Sequence, residues 1–107
     1  MSEVYNARIE STQLGYLAHG VLTCLWQLAF RGVGQGFGGW NFGTGPGSMP
    51  AQAKALAACL GDLLRVAGVK TWEEVSGRLV RVELEGNKIL RVGHILKDIW
   101  FHPEMMP

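Results

Sequence analysis

The first stretch with spacing suited to chemistry is glycine-rich. Gly34-Gln35-Gly36-Phe37-Gly38-Gly39 matches G-x-G-x-x-G, a pattern that lets backbone approach a pyrophosphate. A dinucleotide site needs that pattern between a strand and a helix opening directly after it, with an acid about 20 residues on. Here the next helical pattern starts several residues later, and the nearest acid, Asp62, lies inside it. The glycines therefore read as serving turns, bulges and the packing of interleaved aromatic rings. No G-x-x-x-x-G-K-[ST] loop occurs.

The histidines are His19, His94 and His102, and no two form H-x-x-x-H. His94, Asp98 and His102 have helical spacing, but Gly93 before them and Trp100-Phe101-His102-Pro103 after them suit an extended chain better. A metal site needs three or four convergent ligands, so neither metal nor cofactor is expected. Cys24 and Cys59 stand far apart in apolar runs without a CxxC, the setting of reduced, buried thiols. Cys24 with His19 or His94 would make a nucleophile pair on paper. Its neighbours Leu22, Leu25 and Trp26 would raise the thiol pKa and silence it. No catalytic constellation remains, and the expectation is a protein that is not an enzyme.

Binding chemistry has better candidates. Arg78, Arg81, Lys88 and Arg91 cluster in sequence, with Lys97 nearby and Glu83 and Glu85 among them. One reading is a solvated sheet face with cross-strand ion pairs. The other is a basic strip that meets phosphates or an acidic protein groove. Of the tryptophans Trp26, Trp40, Trp72 and Trp100, Trp40 lies in the glycine stretch and is the one expected at the surface, where tryptophan anchors interfaces. Phe37 and Phe42 flank it. The candidate partner-binding residues are thus Phe37, Trp40, Phe42, Arg78, Arg81 and Arg91.

Composition narrows the field further. A chain of 107 residues makes one domain, and 48% hydrophobic against 18% charged residues excludes an extended disordered chain. The net charge of +1 exerts no global pull on nucleic acid. Charge is uneven, however. From Ser11 to Ala53 the only formal charge is Arg31. So long a segment cannot be wholly core in so small a protein, and an apolar, uncharged surface marks a contact site. Met1-Ser2-Glu3-Val4 carries no signal-peptide pattern, and no apolar run nears the ~18 residues of a membrane span. The expected location is cytoplasmic, without membrane contact.

The elements that must position these residues follow from periodicity and punctuation. Val4 to Gln13 reads as a strand and Gly15 to Gly20 as a turn. Val21 to Phe30 is β-branched and aromatic; its length also permits a helix, which periodicity alone does not settle, but the glycine at each end favours a second, antiparallel strand. A short third strand is expected over Gln35 to Phe42, then a loop through Pro46. Ser48 to Ala67 predicts a helix, with Ser48 as its cap, Pro50 in its first turn and Gly68 as its stop. Thr71-Trp72-Glu73-Glu74 is a capping-box pattern for one short turn. Arg78 to Glu85 and Lys88 to Val92 form a hairpin about Gly86-Asn87. Ile95 to Phe101 is a last strand or a tight terminal segment, and Pro103 to Pro107 a frayed tail. The expected fold is α+β: a mostly antiparallel sheet of four or five strands with one long helix across one face.

Four segments together resemble a family of small proteins of phages and prophages. They are Leu14-Gly15, His19-Gly20-Val21-Leu22-Thr23-Cys24, Gly34-Gln35-Gly36-Phe37-Gly38-Gly39-Trp40, and Arg91-Val92-Gly93-His94-Ile95-Leu96-Lys97-Asp98-Ile99-Trp100-Phe101. The family has no assigned enzymatic chemistry. Its pattern places acids before the His-Gly pair and an Asp after the aromatic, where this sequence has Leu17-Ala18 and Asn41-Phe42. The resemblance implies a protein that binds a host protein or ribonucleoprotein complex and inhibits or modulates it, as anti-CRISPR inhibitors do, by steric contact. Two other readings stand beside it: a single-stranded nucleic-acid binder, using the arginines and stacking aromatics, and a homo-oligomeric module whose apolar middle is self-complementary.

Overall fold

Alternating apolar residues put six strands into one sheet. The computed structural model describes residues 2–106. The strands are β1 (Glu3–Tyr16), β2 (Leu22–Phe30), β3 (Val33–Gly38), β4 (Leu79–Glu85), β5 (Lys88–His94) and β6 (Trp100–Phe101), with one helix, α1 (Pro50–Ala67). The sheet order is β3-β2-β1-β4-β5-β6, and every neighbouring pair is antiparallel. The α+β class is as expected, with one strand more than anticipated. The sixth, β6, has two residues, which pair with Val92 and Gly93. Pro103, just beyond it, lacks the N–H to carry the ladder on.

The period of two decides which face is buried. On β4, Val80, Val82 and Leu84 are buried while Leu79, Arg81, Glu83 and Glu85 face outward. Cys24, Trp26, Leu28 and Phe30 do the same on β2. Helix α1 presents Cys59, Leu63, Val66 and Ala67 to this interior. Rings of the two edge strands also meet there: Phe37 of β3 and Phe101 of β6 have centroids 5.8 Å apart. The sheet therefore curls until its edges approach, giving an open barrel that α1 helps to fill.

Local chemistry sets the ends. Arg31 and Gly32 both have positive φ (55° and 75°) and form the two-residue turn from β2 to β3. β3 ends at Gly38 rather than at Phe42. Gly38 has φ +124°, and a Cβ there would lie 2.4 Å from the Cys24 carbonyl oxygen. Only glycine fits, and the chain jogs out of the strand before returning to β2 through Phe42 N–H to Leu22 O (3.0 Å) and Leu22 N–H to Gly43 O (2.7 Å). Ser48 is not the helix cap. Met49 holds that position, and the Gln52 Oε1 accepts its N–H at 3.1 Å. The Ser48 hydroxyl instead donates to Phe42 O at 2.8 Å, tying the aromatic loop to the start of α1. Pro50 and Gly68 stand where expected. Pro103–Met105 is a 3-10 turn and not a frayed tail, and Met106 packs against the core. Pro107 lies outside the described residues.

Candidate functional site

Sequence offers Phe37, Trp40 and Phe42 as contact residues, with Trp40 the one expected at the surface. The fold brings them together but buries two. Phe37 is 7% exposed and Phe42 1%, so neither has a face to offer a partner. The reason is the jog at Gly38, which turns the following loop over the open end of the sheet. Trp40 alone stays partly exposed. Its ring packs edge-on against Phe37 (5.5 Å between centroids) and against Phe42 (6.5 Å), and tilts on Phe101 (5.2 Å). Aromatic packing of this kind holds a ring in one place at little entropic cost on binding.

Beside Trp40 lies an apolar groove of about 440 Å3, whose walls include Leu17, Val21, Leu25 and Trp40 and which contains no formally charged residue. His19 stands at its rim in a left-handed conformation, φ 61°. Thr23 lines it too, and is only 7% exposed. Its Oγ1 has no hydrogen-bond partner, and a buried hydroxyl left unpaired costs about 1–3 kcal/mol. A groove of mainly apolar walls, with His19 and Asn41 as polar residues among them, is the pattern of a binding site, in which few polar groups fix orientation. Sequence reasoning missed Thr23 and this groove. A partial signal was present just before and within β2, where Val21, Leu25 and Ala29 are apolar at outward positions, although Thr23 and Gln27 share that face.

The arginines occupy a second, different region. Arg81 Nε donates to His94 O and its NH2 group to Lys97 O, each at 2.7 Å. Its guanidinium lies 4.8 Å from the Trp100 ring centroid, and that of Arg91 lies 4.5 Å from the same ring. Arg91 also pairs with Glu83 directly across the β4–β5 ladder. Hydrogen bonds from Ser2 and then Arg91 hold the Glu83 carboxyl below the usual carboxylate range. Trp100 Nε1 donates to Asp98 at 3.0 Å. Gly93 lies beneath the ring, where a Cβ would come within 2.5 Å of it. Arg78 is apart from this cluster, with Glu74 at 4.0 Å. Two of the expected contact arginines thus serve the fold itself.

The titratable candidates are also accounted for. His94 Nδ1 accepts from the N–H groups of Leu96 and Lys97 at 3.0 Å each, so it shapes the loop before β6. His102 faces Glu104 at 3.3 Å. Among the described residues no three His, Cys, Asp or Glu side chains converge. Cys24 and Cys59 are buried and reduced, and burial pushes each thiol up to about 12. No helix among the described residues is long and apolar enough to cross a membrane. No family model, no curated protein and no solved structure matches the chain.

Proposed function

We propose that the protein is a binding module that docks on another protein through the apolar groove beside Trp40. The observation that carries this reading is the groove itself, free of formal charge and walled by Leu17, Val21, Leu25 and the partly exposed Trp40. Burying that groove under a partner would remove apolar surface from water at about 25 cal/mol per Å2. The held ring of Trp40 supplies the anchor. Leu17, exposed at the groove, comes from the same nearly charge-free segment. The narrower reading, a phage- or prophage-encoded protein that blocks a host protein or ribonucleoprotein complex, rests on the family resemblance of the glycine and His-Gly segments.

The test is affinity capture from nuclease-treated host lysate. The wild-type protein is compared with Leu17→Asp, which places a charge at the groove on a residue already 38% exposed and so leaves the fold intact. A defined protein complex held by the wild type and released by Leu17→Asp is the expected result. Equal retention by both, or loss of the partner on nuclease treatment alone, would overturn it. The second outcome would favour single-stranded nucleic acid, a reading in which Arg81 and Arg91 would first have to leave their internal partners.

A further inference from the structure

The curl of the sheet leaves a seam. β3 is one edge, bonded only to β2. Gly39 N–H donates to Cys24 O at 2.8 Å, and with the β2–β3 register this fixes Phe37–Trp26, Gln35–Leu28 and Val33–Phe30 as the hydrogen-bonded pairs. The N–H and C=O groups of Gly34 and Gly36 therefore point away from β2, toward the seam. β3 carries no charge and no proline, the usual guards of an edge strand. Gly34 and Gly36 also bring no side chain to shield that edge. Across the seam, β6 pairs only with Val92 and Gly93, so residues 88–90 of β5 have no strand beyond them.

Two cavities fill the space between. One, of about 360 Å3, runs from Arg31 and Val33 to Gln35 against Leu84 and Asn87. The other, of about 460 Å3, runs from Gln35 through Gly38 to Trp40 against Lys88, Ile89 and Pro103. They share Gln35, and end to end they follow the whole of β3. Six strand residues span about 20 Å, the length of a short extended peptide. The furrow is walled on its far side by the β4–β5 hairpin and Pro103. Its length and the unpaired backbone groups of β3 match one extended chain. Its charges are asymmetric: Arg31 stands alone at the Val33 end, while Lys88 and Glu104 both line the cavity toward Trp40.

We propose that an extended segment of a partner protein, apolar at alternate positions and acidic at one end, adds to β3 as a seventh strand in this seam. It would take up the outward N–H and C=O groups of Gly34 and Gly36. It would set every second side chain against Val33 and Trp40, and bring its acid to Arg31. This is main-chain recognition by strand addition. It deepens the reading of the protein as a binding module, because Trp40 lines both the groove and the seam.

A displayed library of random twelve-residue peptides is the probe, with the enriched peptide then synthesised and titrated. Enriched peptides are expected to alternate apolar residues and carry an acid near one end. Their binding is expected to slow amide exchange at Gly34 and Gly36. Gly36→Pro deletes an N–H that bonds nothing within the fold and is expected to weaken binding by about tenfold or more, a loss of about 1.4 kcal/mol. Gly36→Ala keeps the N–H, and its Cβ would make only ordinary contacts at 3.5 Å with Gln27 and Leu25, so binding should change less than about twofold. A readout independent of protein folding is N-methylation along the peptide, which should abolish binding at alternate residues only. No enrichment, binding without protection of Gly34 and Gly36, or a period other than two would overturn the proposal. So would a dimer in sedimentation that Gly36→Pro dissociates, which would put a second copy on the edge. Capture of a host partner that Leu17→Asp destroys and Gly36→Pro leaves untouched would end this proposal alone. The reverse pattern would end the groove reading and keep this one.

Discussion

Trp40 and Trp100 lie toward opposite edges of the same curled sheet, and their settings differ in kind. Trp100 is closed. Two guanidiniums flank its ring, Asp98 takes its N–H, and the arginines are themselves tied to backbone carbonyls and to Glu83. Trp40 is open. Its support is aromatic, its surroundings on the groove side are uncharged, and a nearby hydroxyl has no partner. A satisfied cluster gains little from a partner, because docking would have to break bonds already made. An open apolar one gains from the area that docking removes from water. The charged cluster is conspicuous in sequence, yet the plainer region is the better interface.

The comparison breaks if Phe42 behaves like Trp40. Phe42 is 1% exposed, so Phe42→Ala should cost about 3–5 kcal/mol of stability in denaturant titration. Trp40→Ala should cost much less stability and instead remove partner binding. Similar losses for both in the melt would mean that Trp40 is core and the groove only its seam. Next in size, Gly93→Ala drives a methyl into the Trp100 ring and should destabilise by about 1–3 kcal/mol, with partner capture unchanged once folded. Loss of capture by a folded Gly93→Ala protein would move the interface to the arginine side.

A smaller effect tests the open side, and its two readouts should separate. Thr23→Val removes a buried hydroxyl that bonds nothing among the described residues. Stability should rise by up to about 1 kcal/mol, while partner affinity changes little. A fall in both would show that Thr23 serves the fold.

How much of this was legible depends on whether a local period carried it. Val80, Val82 and Leu84 alternate with charged residues about Gly86-Asn87, so the β4–β5 hairpin was readable outright. So was α1, from its run of Ala and Leu between Pro50 and Gly68. β6 was not fixed, since two residues have no period. Ser48 looked like a cap because its type suits one, but the bond from Met49 N–H to Gln52 took that role and freed Ser48 for Phe42. Phe37 and Phe42 read as contact residues beside Trp40, and the jog at Gly38 folded both inward instead. Arg81 and Arg91 read as a strip because sequence does not show register. Only the pairing of Glu83 with Arg91, and of Gly93 with Trp100, reveals that each arginine has a partner inside the fold. The seam could not be read at all, because it comes from the curvature of the whole sheet.

The smallest prediction bears on whether the arginine side is closed in solution. Hydrogen bonds from Ser2 and Arg91 lower the folded-state pKa of Glu83 below its unfolded value. A carboxyl shifted this way binds fewer protons folded than unfolded. Its contribution is therefore complete above the unfolded pKa of about 4.3 and is lost as pH falls through the lower folded value. Thermal melts of wild type and Glu83→Gln should thus differ slightly near neutral pH, with the wild type the more stable, and converge in acid. The side chains are partly exposed, so added salt should shrink the difference. A gap that persists unchanged into acid would mean that the carboxylate is not what Arg91 holds. Arg91 would then be free for a partner, and the contrast between the two tryptophans would lose its main support.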